Sequence, residues 1–290
     1  MYTSYIDKLT LLTDREEERF WLYELKRTCY NGVYPYKIFP DKGIYEIDFD
    51  PITIFYGGNG SGKTTLLNII AEKANVVRHS AFNGSPFFSQ YVNGCKLQCK
   101  HIPPNSQILT SDDVFDYVLN IRYLNDGIDT RRADLLDDYL DRKYASHRFT
   151  GMAHYDDWKE SYDAKSKSQS QFVRERLMRN VDMFSNGESA MKYFTDHITE
   201  NALYLLDEPE NSLSIGLQQE LCEYISASAS HYGCQFVIAT HSPILLSMPN
   251  ATIYDLDTYP IETKKWTELE NVRKYFEFFE KHRHSFLENK

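Results

Sequence analysis

The chain has 290 residues, 42% of them hydrophobic and 26% charged, with a formal net charge of -10; this composition excludes a largely disordered chain and suits one α/β core carrying an insertion. An acidic balance disfavours indiscriminate binding along a phosphate backbone but permits a local basic groove, so nucleic acid is neither implied nor excluded. No run approaches the roughly 18 apolar residues that cross a bilayer, and MYTSYIDKLTLLTDREEE lacks a basic segment followed by an apolar one, so the expectation is a cytoplasmic protein without membrane insertion.

From the start, Thr13 and Glu16 have capping-box spacing ahead of ERFWLYELKRTCY, which predicts a helix stopped near Gly32. YPYKIF and GIYEIDF alternate like strands. PITIFY is a short β-rich run ending in glycines, and TTLLNIIAEK continues as a helix, giving a strand, a loop and a helix in order. Cys95, Cys99 and His101 have no second cluster to complete a tetrahedral set, so no zinc site is expected; without a leader, the five cysteines read as buried hydrophobes or idle thiols.

Between Ser111 and Arg179 the pattern turns polar and helix-favouring. Val114, Phe115, Val118 and Leu119 share one helical face, as do Leu135, Leu136, Tyr139 and Leu140. No heptad persists, so a long coiled-coil arm is not expected. KSKSQSQ is the expected flexible point, after which Phe172, Val173 and Leu177 resume a helix. Strands return in ALYLL, QFVIAT and ATIYDLD, with the helix LQQELCEYISA between the first two, and strands separated by helices indicate a mainly parallel sheet. Near the end, Trp266, Leu269, Val272, Tyr275, Phe276 and Phe279 form an aromatic stripe at helical spacing, expected to pack on the core.

GGNGSGKT, from Gly57 to Thr64, fits the pattern of a glycine, four residues, a glycine, a lysine and a hydroxyl residue. Around Asn59 and Ser61, the glycines at 57, 58, 60 and 62 let backbone N–H groups approach phosphates, and the helix entered at Thr64 and Thr65 adds its positive dipole. Lys63 is placed to reach the β- and γ-phosphates of ATP and Thr64 to ligate Mg2+. In ALYLLDEPE, four apolar residues lead to Asp207 and Glu208, so two carboxylates stand at the C-terminal end of a buried strand, where open α/β sheets bind ligands. Asp207 is the expected magnesium partner and Glu208 the acceptor of a proton from attacking water.

Ser185, Asn186, Gly187, Glu188 and Ser189 precede AMKYFTDHI, whose Met191, Phe194 and Ile198 mark one helical face. Ser185, Gly187 and Glu188 at a helix start are candidates to meet a phosphate, with a simple serine cap as the alternative. His241 follows QFVIA, where an imidazole could donate to the γ-phosphate or hold water. Gln107, ahead of ILTSDDVFDYVL, is read as the amide that senses Mg2+ or water, with Gln90 as the alternative.

Taken in order, GGNGSGKTT, Gln107, FSNGES, LYLLDEPE and ATHSP resemble the phosphate loop, Q-loop, signature, Walker B and switch histidine of ABC-type ATPases. The resemblance spans Gly57 to Pro243. It implies a P-loop NTPase fold, with residues 1–110 and 185–290 as the ATPase core lobe and 111–184 as an inserted helical lobe leading to the signature. It also implies a homodimer formed on ATP binding, in which one protomer's signature meets ATP held by the other, and an aromatic, Tyr34 or Tyr36, on adenine. Asn186 replaces the glycine of the commonest signature, a position where Asn tolerates left-handed backbone. PENSLS lacks the aspartate of the transporter D-loop at Ser214. With THSP this resembles the soluble SMC, RecF and OLD-type ATPases, and the tail after Asp257 leaves no room for the OLD nuclease domain.

The function so implied is an ATP-hydrolysing dimeric switch in genome maintenance or antiviral defence, acting with a separate effector protein. A transporter's nucleotide-binding subunit and a non-hydrolysing ATP sensor are the alternatives.

Overall fold

The computed structural model describes residues 4–23, 32–82, 84–145, 155–181 and 185–287. Two compact units divide the chain: Met1–Phe115 with Asn186–Lys290, and Asp116–Ser185. The first unit opens with β1 (Ile6–Thr10), α1 (Asp14–Tyr23), β2 (Glu46–Asp48), β3 (Ile52–Tyr56), α2 (Lys63–Ala74), α3 (Phe88–Gly94), β4 (Lys96–Cys99) and β5 (Gln107–Thr110). α4 (Ser111–Tyr144) begins there and continues into the second unit, which adds α5 (Tyr155–Ser166) and α6 (Gln169–Arg176). The chain returns with α7 (Asn186–His197), β6 (Leu203–Asp207), α8 (Ile215–His231), β7 (Gln235–Thr240), α9 (Pro243–Leu246), β8 (Thr252–Asp255), β9 (Glu262–Thr263), α10 (Glu270–Lys281) and α11 (Arg283–Leu287).

The main sheet has the order β5-β6-β7-β3-β8-β9, parallel except for β9. Its central strands, ITIFY, LYLLD and QFVIAT, are buried almost throughout, as expected of parallel strands covered on both faces. α2 packs against β6 and β7. Beside it lies an antiparallel sheet of order β2-β1-β4, and one side chain stitches the two together. The buried Gln235 accepts from the Tyr5 and Ile6 N–H groups at 2.7 and 2.9 Å and donates to the carbonyls of Ile6 and Asp50 at 2.9 and 3.2 Å.

The capping pair ahead of α1 is present, with Glu16 Oε2 accepting from the Thr13 N–H at 2.8 Å; the helix's predicted stop near Gly32 falls at the edge of residues outside the description. YPYKIF is a turn rather than a strand: Lys37 adopts a left-handed φ of 69°, and its N–H donates to the buried Glu17 at 2.7 Å. At the end of β5, Thr110 and Asp113 cap the start of α4 reciprocally, at 2.8 and 3.2 Å.

Three sequence patterns gain detail in three dimensions. Phe115 and Leu140 are exposed, so only part of each predicted face is covered; Leu135 and Tyr139 pack with Ala164, Phe172 and Val173 in the second unit's own core. Within KSKSQSQ only Lys167 and Ser168 lie outside the helices: Ser168 and Gln171 form a capping box for α6, and Lys167 bridges Asp163 and Glu175, each at 2.6 Å. The C-terminal stripe packs on the core only at Leu269 and Val272. Tyr275, Phe276 and Phe279 are 54, 65 and 53% exposed, because α10 leaves the core after its first turn.

Candidate active site at the carboxyl ends of the parallel strands

β3 delivers the chain into a loop that only glycine can form at two points, Gly60 with φ 78° and Gly62 with φ 100°. At Gly57 a Cβ would meet Ser61 Oγ at 2.5 Å, so the loop closes on itself only without one. Gly62 sits at the N-cap of α2 with no side-chain cap, which leaves first-turn N–H groups turned to the loop's concavity, an arrangement suited to an anion. Ser61 Oγ is buried there without a partner. Asp257, which belongs to no motif, accepts from the Gly58 N–H at 2.7 Å and braces the loop from just past the end of β8.

Asn59 to Thr65 line a cavity of about 330 Å³ together with Tyr34, Ile38 and Glu208. The buried Lys63 ammonium donates to the Gly57 and Gly58 carbonyls at 2.7 and 3.1 Å and stands 3.8 Å from Glu208 Oε1. Thr64 Oγ1 donates to Asp207 Oδ1 at 3.1 Å. Burial pushes the Asp207 carboxyl up to about 6, and the neighbouring Glu208 charge adds to the rise. Paired hydroxyl and carboxylate oxygens of this kind are a hard donor set suited to magnesium.

Glu208 holds a left-handed backbone, φ 47°, at the end of β6, a strain characteristic of functional turns. Its N–H donates to the Ala239 carbonyl at 2.8 Å, and Oε2 accepts from Asn211 at 3.1 Å, leaving Oε1 toward Lys63 and His241. His241 Nδ1 lies 3.7 Å from Glu208 Oε1 and 3.4 Å from Glu210 Oε1. Glu210 is a further carboxylate, one that no motif assigns. Its Oε1 accepts from Thr240 Oγ1 and the His241 N–H at 2.6 and 3.0 Å, while Oε2 is buried and unpartnered. A glutamate inside DEPEN is visible in the sequence, but its role depends on β7 returning beside β6.

Across the Thr64–Asp207 pair a second cavity, of about 420 Å³, is lined by Arg78, Asn68, Ser80, Phe82 and Thr110 among others. The Arg78 guanidinium donates to Asn68 Oδ1, lies 4.6 Å from the Phe82 ring centre, and has its pKa lowered by burial against the pull of Asp113 and Asp207. No sequence pattern marks it.

Gln107 does not reach this site. Parallel register sets Gln107 beside Tyr204 and Thr110 beside Asp207, so the glutamine is at the far end of β5, and its amide donates to the His197 carbonyl at 2.7 Å. The expected magnesium role of Gln107 therefore does not hold; Thr110 occupies the strand end beside Asp207. Gln90 lies exposed on α3. Tyr36 is buried and stacked on Phe20 at 3.9 Å, unavailable to adenine, whereas Tyr34 lines both cavities, its hydroxyl donating to Thr65 at 3.0 Å.

Ser185 precedes α7, and Asn186 opens that helix in ordinary helical rather than left-handed conformation. Gly187 is needed for space: a Cβ there would meet Leu217 Cδ1 at 2.8 Å and the Ser212 carbonyl at 3.2 Å. Gly187 and Glu188 are not among the residues lining the loop cavity.

The family model described as "AAA domain, putative AbiEii toxin, Type IV TA system" matches residues 94–247, more than half of the chain. The chain belongs to this family. The matched span holds Asp207, Glu208 and His241, while the phosphate loop precedes it. The protein is an α/β P-loop ATPase domain, and such domains bind ATP, generally with magnesium. Among solved structures it is similar to an Smc head domain with an extended coiled coil bound to the C-terminal domain of ScpA, from Pyrococcus furiosus, at 14% identity over 96% of this chain and 99% of that one, TM-score 0.43. A dimeric ATP-binding cassette in a post-hydrolysis state with ADP and Pi matches at 11% identity over 77% of this chain and 90% of that one, TM-score 0.37. No curated protein matches the chain. Among the described residues no helix is long and apolar enough to cross a membrane, and no group of three or more His, Cys, Asp or Glu residues is placed to hold a metal.

Proposed function

We propose that this protein binds and hydrolyses ATP with magnesium and uses the cycle as a dimeric switch. The observation that carries the reading is the meeting of Lys63, Thr64, Asp207, Glu208 and His241 from three separate strand ends around one glycine loop. Lys63, released from the loop carbonyls, pairs with the β- and γ-phosphates, and the backbone N–H groups from Asn59 to Thr65 hold the phosphate chain. Thr64 and Asp207 would hold the magnesium ion, which would neutralise charge on the phosphates when bound. Glu208 Oε1 takes the proton of the attacking water, and His241 orients that water or donates to the γ-phosphate. Tyr34 is the aromatic at the cavity wall suited to adenine.

Ser185, Gly187 and Glu188 then serve the ATP of a second protomer, since the signature helix is not part of its own loop cavity. The family's description names a putative toxin and a type IV TA system, which supports a defence setting, with a separate effector receiving the switch. In Glu208→Gln the shape and hydrogen bonding survive without basicity, so ATP should stay bound at one per site while phosphate release falls by about 10²–10⁴-fold. Near wild-type release by that variant would remove Glu208 from the chemistry, and a wild-type protein that retains ATP without turnover would make the chain a sensor.

A further inference from the structure

α10 has 12 residues, and only Val272 on it is buried. Every described residue from Arg273 to Leu287 is exposed. That arm nevertheless carries Tyr275, Phe276, Phe278, Phe279 and Phe286, all between 53 and 65% exposed. Tyr275, Phe276 and Phe279 fall on one face of α10 at helical spacing, continuing the stripe that Leu269 and Val272 begin on the core, and Phe286 on α11 has its ring centre 6.1 Å from that of Phe279. A helix this short is marginal in water without tertiary packing, and aromatic rings concentrated on one side of it form a patch larger than scattered surface hydrophobics explain.

The charges bordering the stripe identify what covers it. A face that recruits an acidic or a basic partner carries one sign; this border carries both, in a reversible order. Arg273 and Glu280 are two turns apart on the same flank. An antiparallel two-fold pairing sets that flank against itself. With the axis between Phe276 and Glu277, Arg273 of each copy stands level with Glu280 of the other, and the pair occurs twice. Among the described residues Arg273 has no carboxylate partner in its own chain. Glu280 makes one looser ion pair, 3.5 Å, with Arg283 of its own chain, and Lys274, on the side of α10 turned away from the stripe, pairs internally with Glu270 at 2.5 Å.

We propose that α10 and α11 are a homodimerisation arm: two copies of the chain pair antiparallel along the aromatic stripe, with reciprocal Arg273–Glu280 ion pairs, without need of nucleotide. This association is separate from the ATP-dependent closure of the sites, and it survives if that reading fails.

The test is sedimentation equilibrium of the whole chain without nucleotide. Wild type and Lys63→Ala should both be dimeric at micromolar concentration. Phe276→Ser with Phe279→Ser should be monomeric with an unchanged thermal midpoint for the ATPase core, because both rings are exposed and lie outside that core. Arg273→Glu alone and Glu280→Arg alone should each weaken self-association by about tenfold or more, since each sets like charges together twice. An equimolar mixture of those two variants should regain wild-type affinity as a heterodimer in which both pairs are attractive. A wild type that stays monomeric up to about 100 μM without nucleotide overturns the proposal and assigns the stripe to a different protein. Single charge variants that dimerise as tightly as wild type, or a mixture no tighter than either alone, overturn the antiparallel pairing.

Discussion

At the amino-terminal end of β7, Gln235 makes four hydrogen bonds and is fully buried, and at that end of β5 the Gln107 amide is bonded to a helix carbonyl. At the carboxyl ends of β3, β6 and β7, by contrast, Ser61 and Glu210 leave buried oxygens unpartnered, Glu208 is left-handed, and Asp207 is pushed up to about 6 by burial. The same strands therefore close their polar accounts at one end and leave them open at the other. Groups left unsatisfied in a folded protein cost stability, and they persist where a ligand completes them. Substitutions at the two ends should accordingly separate stability from nucleotide handling.

The largest effect is expected at Lys63. Its ammonium touches only loop carbonyls and Glu208, so Lys63→Ala should leave the thermal midpoint nearly unchanged. ATP affinity, read by calorimetry, should fall by about a hundredfold or more through loss of charge-assisted bonds to phosphate. A large fall in stability with unchanged affinity would reverse the assignment of the two ends.

Gln235 should behave in the opposite sense. Gln235→Leu keeps the volume but strands two buried N–H groups and two carbonyls, at a cost of about 3 kcal/mol or more in unfolding free energy. Measured in urea at low temperature, the midpoint should drop while ATP affinity of the remaining folded protein stays within about twofold.

Glu17 sharpens the comparison because it is an open group away from the strand ends. It is buried, one of its oxygens has no partner, and burial raises its carboxyl to about 7 despite the Lys37 N–H it accepts. A carboxyl whose folded pKa lies above its unfolded value of 4.5 contributes stability that is complete below the unfolded pKa and lost as pH rises through about 7. Between pH 5 and 8 the wild type should lose on the order of 2 kcal/mol relative to Glu17→Gln. Parallel urea midpoints for both proteins across that range would show that Glu17 does not titrate there.

How much of this was legible depended on how local the signal was. The glycine loop and the DEP turn are consecutive residues following apolar strands, so their chemistry and their place at strand ends could be read together. Glu210 and Asp257 act through β7 and β8 returning beside β6 and β3, contacts that no local spacing encodes. Arg78 sits on a connection without periodicity and reaches the site only because α2 places Asn68 beneath it. For the C-terminal stripe, periodicity marked a helical face, but the expectation that the face packs on the core holds only at Leu269 and Val272, because spacing does not encode where a helix leaves the core. YPYKIF alternates as a strand does, yet the buried Glu17 holds its backbone in a turn.

Gln107 is the sharpest case, and the smallest expected effect. The sequence places Gln107 just ahead of a helical segment, where an amide that senses Mg2+ or water would be wanted, but order along the chain cannot tell which end of a four-residue strand carries it. Register decides: Thr110, not Gln107, is level with Asp207, and three residues of strand separate the two positions by about 10 Å. Gln107→Ala should therefore remove one side chain-to-carbonyl bond, lowering stability by about 1 kcal/mol, and leave magnesium-dependent phosphate release within about twofold. An amide acting directly on the metal or the attacking water would instead be worth at least about a hundredfold in release rate. Measuring release against magnesium concentration for Gln107→Ala beside Thr110→Val distinguishes the two. A large loss confined to Gln107→Ala would mean that β5 is shifted along β6 in the working state, and that the far end of the sheet also handles nucleotide.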